Sequence, residues 1–375
     1  MRTTAVAVLS TRRARSLLLL GAILGLLAEQ KIPFTEEAYG PLPDGGYYMN
    51  IAQHVRDGDG LITDLSLAHK GAPSLPHPTD MYPLWPLVYG YASRVFPIEP
   101  TGHWLPTIFY FVTLLVGFRW ASELFDRDLV PRTVPGFHAG HLFVLMMGLN
   151  GEFFRYTSYP YTEGLTYAVV LLGLWRMNRL WERPSLRSGV EIGVWMGLAT
   201  LCRKQLFLML LAAVPVLVGA AVFARSNRRR FAWTGAGVLG GFALLAVPHY
   251  LYMSSFLPNM TPASFLRWDQ NQHTDALTRL KTLRPAKTVG DYLRDRWQGV
   301  PIAFGTTTSS YTPQYHTFQY ALPAAVPLAL GAAVAYLRSG VLPVVRGLFE
   351  PGFLRYTYLF VFGVAGVLSI HTMPM

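Results

Sequence analysis

The sequence is short of cysteine and of charge. Its single cysteine, Cys202, excludes an internal disulfide and any zinc site built on several thiolates. Asp, Glu, Lys and Arg make up only 14% of the 375 residues, roughly half the share typical of soluble domains. Walker-type phosphate loops, dinucleotide-binding glycine fingerprints and His-Glu-x-x-His helices are all missing, and with them the chemistries those motifs carry. What the chain has is apolar length. Hydrophobic residues account for 51% of it, gathered in blocks of about 18–22 residues, enough to cross about 30 Å of hydrocarbon.

The net charge of +11 would point to nucleic acid in a soluble protein. Here arginine collects in short loops between apolar blocks, as expected on the cytoplasmic side of a membrane protein. The partners implied are therefore membrane lipids and not nucleic acid. The pattern predicts an all-α polytopic membrane protein of about nine transmembrane helices.

A basic start and the apolar stretch 16–27 read as a first anchor; a secretory signal peptide has similar character. Residues 31–100 form a long outer loop rich in Gly, Pro and aromatics. Within it, 81–96 reads as an interfacial helix, because Pro83, Pro86 and Arg94 interrupt its apolar run. Further spans are expected at 104–124, 137–154, 161–180, 189–201, 206–223 and 231–252. A second outer loop covers 253–319, and spans at 320–337 and 356–370 close the chain. The domain division that follows is a transmembrane module over 1–252, an outer loop over 253–319 and C-terminal helices over 320–375.

Short-loop arginines set the orientation. With the N-terminus in the cytoplasm, Arg127 and Arg132, then Arg176, Arg179, Arg183 and Arg187, then Arg225 and Arg228 to Arg230, then Arg338, Arg346 and Arg355 all fall inside. Both long polar loops fall outside. One junction runs against the bias: Arg203 and Lys204 reach the outer surface. Snorkelling to headgroups explains two cations there, and so does an anionic ligand such as a lipid phosphate.

Three outer-face stretches carry candidate chemistry. The first runs from Pro43 through Asp44, Tyr48 and Ala52 to Gly58 and Gly60; residues 44, 48 and 52 share one helical face. It leads into Tyr82-Pro83-Leu84-Trp85-Pro86-Leu87. The second is Tyr159-Pro160-Tyr161-Thr162-Glu163-Gly164-Leu165. The third is Gly197-Leu198-Ala199-Thr200-Leu201-Cys202-Arg203-Lys204. Each has a plainer reading as well. Asp44 suits a helix N-cap, and Glu163 suits a helix dipole. Tyr47, Tyr48, Tyr82 and Trp85 suit an interfacial aromatic belt.

The order and sidedness of these stretches resemble the GT-C superfamily of polyprenyl-phosphate-sugar-dependent glycosyltransferases. The similarity is to the protein mannosyltransferase and aminoarabinose-transferase branch, and the Tyr-Thr-Glu piece looks like the PIG-V type of glycolipid mannosyltransferase. The resemblance covers roughly residues 15–222. It implies transfer of a sugar, most simply of mannose type, to a glycan, lipid or protein acceptor. The reaction would take place on the outer face of a plasma or inner membrane. It implies Asp44 and Glu163 as catalytic acids and Arg203 and Lys204 as ligands of the donor phosphate. Tyr48, Tyr82, Asp80 and His77 would contact substrate. No cofactor is implied and use of a divalent metal is left open. Two features depart from the relatives: Gly45 stands where many have Glu, and a C-terminal Arg-Tyr…Pro element is missing, so the chain reads as a short or truncated member.

Two other classes compete. A transporter or flippase of lipid-linked saccharides would show internal repeats and ionisable residues at mid-membrane, and no second copy of the Arg203 interruption is found. An inactive assembly partner with the same fold is the third class.

Overall fold

A computed structural model of the chain describes residues 2–38, 43–66, 72–79, 82–125, 137–223, 227–256, 347–349 and 354–368. Asp80, nearly all of the second outer loop and the span expected at 320–337 lie outside the described residues, and the side chains of Asp44, His77 and Lys204 are likewise not described. The chain forms two compact units: residues 1–176 with 201–203, and residues 177–200 with 204–375.

The described residues are mostly helical. Three helices are long and apolar enough to cross a membrane: Ala14–Glu37, Ile98–Leu124 and Arg228–Ser255, with shorter apolar helices at Ala139–Gly148 and Leu208–Phe223. In the first unit, α1 (Arg2–Glu37) and α4 (Ile98–Phe125) pack with α5 (Ala139–Gly148) and α6 (Gly151–Tyr156). Their shared core is Leu20, Ile23, Leu27, Tyr110, Leu114, Val144 and Phe153. The apolar stretch 137–154, expected as one span, is two helices. The side chain of Asn150 accepts from the Phe153 amide at 2.8 Å and caps α6, so the chain restarts a helix there. Alone, α5 at 10 residues is about 15 Å long.

The segment expected as a first outer loop holds more regular structure than the sequence suggests. It folds into α2 (Pro43–Asp57), strands β1 (Ile62–Ser66) and β2 (Ala72–Pro78), and α3 (Leu84–Ala92). The two strands pair antiparallel, a small hairpin within an otherwise helical set of described residues. The chain leaves α2 through Gly58 and Gly60, both at positive φ (97° and 92°), a backbone region that only glycine enters without strain. Asn50 then ties helix to hairpin. Its side-chain oxygen accepts from Thr63 Oγ1 (2.8 Å) and the Asp64 amide (3.2 Å), and its Nδ2 donates to Asp64 Oδ1 (2.5 Å). Tyr47, Ile51 and Val55 form the apolar seam beneath, with Leu61, Leu65 and Leu87. At Gly90 of α3 a side chain would meet Val55 Cβ at 2.6 Å and the Ala52 carbonyl at 2.7 Å. Glycine here permits backbone-to-backbone contact between α3 and α2. With 9 residues, α3 is about 14 Å long and too short to span.

Helix α7 (Glu163–Glu182) follows, then α8 (Leu186–Cys202), a 3₁₀ turn (Lys204–Phe207), α9 (Leu208–Phe223), α10 (Arg228–Phe256) and α11 (Leu354–Leu368). Within the second unit α8 crosses α10 on glycine. A Cβ on Gly189 or Gly193 would lie 2.2 Å from the carbonyl of Thr234 or Val238, and one on Gly241 would lie 2.2 Å from that of Val190. In lipid, where apolar side chains gain little by meeting each other, such close backbone packing is a main source of helix association.

Candidate active site

Two candidate residues of the first unit, Glu163 and Arg203, form an ion pair. Glu163 is the first residue of α7, where the helix dipole favours a carboxylate. Arg203 follows the last residue of α8. Its Nη2 donates to Glu163 Oε1 at 2.6 Å and its Nε donates to Thr162 Oγ1 at 3.2 Å. Thr162 is buried, and its hydroxyl also faces Glu163 Oε2 at 3.4 Å. The Glu163 side chain is 17% exposed and that of Arg203 42%, so the arginine is the more open member of a half-buried pair. Glu163 drives the Arg203 guanidinium further above its ordinary, already high value; burial acts in the opposite sense, and Tyr48, Tyr167 and Tyr82 add smaller pushes upward. Arg203 is thus a fixed positive charge. Two of its five N–H groups are spent on Thr162 and Glu163, and its planar fork is held by them.

Those tyrosines show which elements meet here. Tyr48, on α2, is buried and close enough to Arg203 for its phenol to act on the guanidinium. Asp44 lies in the first turn of the same helix, one turn before Tyr48 and on the same face. Tyr82 precedes α3 and also neighbours Arg203. His77 lies on β2, its backbone opposite Thr63 of β1. Lys204 follows Arg203 and opens the 3₁₀ turn.

Some expected contributors have other work. Trp85, read from sequence as part of an aromatic belt, is fully buried and donates its indole N–H to the Pro160 carbonyl at 3.1 Å. It holds the Tyr159–Tyr161 turn in place of facing a ligand. Arg155 is exposed. Among the described residues no group of three or more His, Cys, Asp or Glu is arranged to hold a metal ion.

One residue escaped the sequence reading altogether. Lys31 is fully buried in α1. Its ammonium donates to the Phe154 carbonyl, to Thr157 Oγ1 (2.9 Å) and to Ser158 Oγ. It also lies over the rings of Tyr110 (4.9 Å) and Phe154 (4.7 Å). A lysine a few residues past the apolar stretch 16–27 looks like the start of the outer loop 31–100. The helix in fact runs on to Glu37, which takes Lys31 into the protein.

These features define a helical membrane protein with an acid–arginine pair where two helix ends meet. Residues 132–252, about a third of the chain, match the family described as dolichyl-phosphate-mannose-protein mannosyltransferase. The match bears out the resemblance to the GT-C superfamily of glycosyltransferases. It includes Glu163, Arg203 and Lys204 and stops short of Asp44 and Tyr48. No curated protein and no solved structure matches the chain.

Proposed function

We propose that this protein transfers a sugar of mannose type from a polyprenyl-phosphate donor to a glycan, lipid or protein acceptor on the non-cytoplasmic face of a plasma or inner membrane. The observation that carries the reading is the Arg203 guanidinium held by Glu163 and Thr162, with the phenol of Tyr48, one helical turn past Asp44, within electrostatic reach of it. Stretches far apart in sequence support one site on this reading: the Glu163 acid, the Arg203 cation it orients, and tyrosines within electrostatic reach of that cation.

The chemistry then follows. The acceptor hydroxyl attacks the anomeric carbon and gives its proton to the Asp44 carboxylate. The bond from that carbon to the phosphate oxygen breaks, and the polyprenyl phosphate departs with the electron pair. Arg203, through the N–H groups not turned to Thr162 and Glu163, stabilises the departing phosphate together with Lys204; such preorganised donors contribute several kcal/mol to barrier lowering. Glu163 fixes the plane of the guanidinium and helps orient the acceptor. Tyr48, Tyr82, His77 and Asp80 contact sugar and acceptor, and residues 253–319 shape the choice of acceptor outside the 1–252 module.

The sidedness rests on α7. Its 20 residues extend about 30 Å, with Glu163 at one end and Arg176, Arg179 and Arg183 at or just past the other. The positive-inside bias puts that basic end, and the N-terminus of the chain, in the cytoplasm and Glu163 outside.

The test is transfer in proteoliposomes from radiolabelled polyprenyl-phosphate mannose, glucose or arabinose, with a membrane extract as acceptor source. Transfer by the wild-type chain that disappears with Asp44→Asn supports the reading. Absence of transfer from every donor ends it in favour of a non-catalytic assembly partner.

A further inference from the structure

An ammonium inside a membrane helix is costly, and such residues are kept where they have work to do. The three N–H groups of Lys31 all donate to one short stretch, Phe154, Thr157 and Ser158. The same stretch is gripped from other elements. His103 Nδ1 meets the Ser158 carbonyl at 2.9 Å, Thr107 Oγ1 donates to the Thr157 carbonyl at 3.2 Å, and Trp85 Nε1 donates to the Pro160 carbonyl at 3.1 Å. Thr35, one turn after Lys31, joins the network through Thr107 at 2.9 Å. Immediately beyond the clamp come Thr162 and Glu163, the two partners of Arg203. The start of α7 also abuts α4, where a Cβ on Gly164 would stand 3.0 Å from the Pro106 carbonyl.

We propose that Lys31 is a positioning residue: its ammonium locks the 154–162 segment, and through it sets where Glu163 presents the Arg203 guanidinium. This deepens the transferase reading and rests on it for the catalytic consequence. The hold on the ion pair itself stands on geometry. An apolar residue at 31 would leave the segment without its one charge-assisted anchor, and reaction geometry loosened by about 1 Å lowers rates by about a hundredfold.

The experiment uses the full chain in lipid nanodiscs, with Lys31→Met and Lys31→Gln beside wild type. Methionine keeps bulk and removes every donor; glutamine keeps two N–H groups. Amide exchange over 157–163 is read against α10, and transfer rate per folded molecule is read alone and on a Glu163→Gln background. Lys31→Met is expected to speed exchange over 157–163 by about tenfold or more while α10 is unchanged, with Lys31→Gln in between. The transfer rate falls about tenfold or more, and far less once Glu163 is already changed. Unchanged exchange over 157–163, or a uniform rise through all helices with Met and Gln alike, overturns the proposal. Should wild type transfer no sugar from any donor, the transferase reading alone falls, and the exchange comparison still decides whether Lys31 holds the pair.

Discussion

Arg203 Nη2 lies 2.6 Å from Glu163 Oε1, so the start of α7 and the end of α8 meet at one charge pair. Solvent-exposed ion pairs contribute only about 0–1 kcal/mol to stability, and this one is open mainly on the arginine side. With Arg203 at 42% exposure, the pair's worth lies in aiming a charge. Arg203→Ala is expected to lower transfer by about 10²–10³ with the melting temperature nearly unchanged. Arg203→Lys keeps the charge and loses the planar fork, and recovers only part of the rate. Steady-state transfer kinetics beside thermal unfolding of the same samples separate the two effects.

Asp44 stands at the head of α2, one turn before Tyr48. As the general base it accounts for about 10²–10⁴ of the rate, and Asp44→Asn removes that while keeping a side chain of the same size in the first turn of α2. The expected result is a rate loss of that size with donor binding retained, measured by single-turnover transfer and by binding of labelled donor. Equal losses of rate and of folded protein would instead make Asp44 a structural residue of the helix start.

Asn50 joins α2 to the hairpin through three hydrogen bonds. Asn50→Ala leaves partly buried groups of Thr63 and Asp64 without that partner, at a cost of about 1–3 kcal/mol. The hairpin is expected to loosen from α2. Limited proteolysis should then cut within residues 58–79 faster than in wild type, with the long membrane helices intact.

Glycine is indispensable where α8 crosses α10. Gly193→Ala and Gly241→Ala each bring a methyl to within 2.2 Å of a facing carbonyl, so the helices must separate. Overpacking of this type costs about 1–3 kcal/mol, read as a lower unfolding midpoint in detergent. Gly235→Ala, which meets nothing within 4 Å, should be neutral or slightly stabilising, since alanine is the better helix former.

Sidedness is open to cysteine labelling, because the one native thiol, Cys202, is buried and contributes little background. With the basic end of α7 inside, Arg183→Cys reacts with an impermeant maleimide only after the membrane is opened. Arg155→Cys reacts in sealed cells. The reverse pattern would place the Glu163–Arg203 pair in the cytoplasm.

Much of this protein was open to reading in one dimension. Apolar block length and the siting of arginine depend on solvent and hydrocarbon alone, so they point to membrane helices at 104–124 and 231–252, which run over 98–124 and 228–255 in the structure, and to a Pro-interrupted helix at 81–96, which spans 84–92. Asp44, Tyr48, Glu163 and Arg203 stood out by residue type at the ends of such blocks. Local hydrogen-bond competition was harder to see: Asn150 splits an apparently continuous apolar stretch, and Asn50 orders a hairpin in a loop rich in Gly and Pro. Partnership was settled only by folding. Arg203 finds Glu163, and Lys31 finds Thr157 and Ser158, across 40, 126 and 127 positions. Sequence determined which charges this chain carries and at which helix ends most of them stand, since hydropathy acts residue by residue. Tertiary structure decided which of them answer one another, because a charge taken out of water must be met by groups that only the packed fold brings within 3 Å.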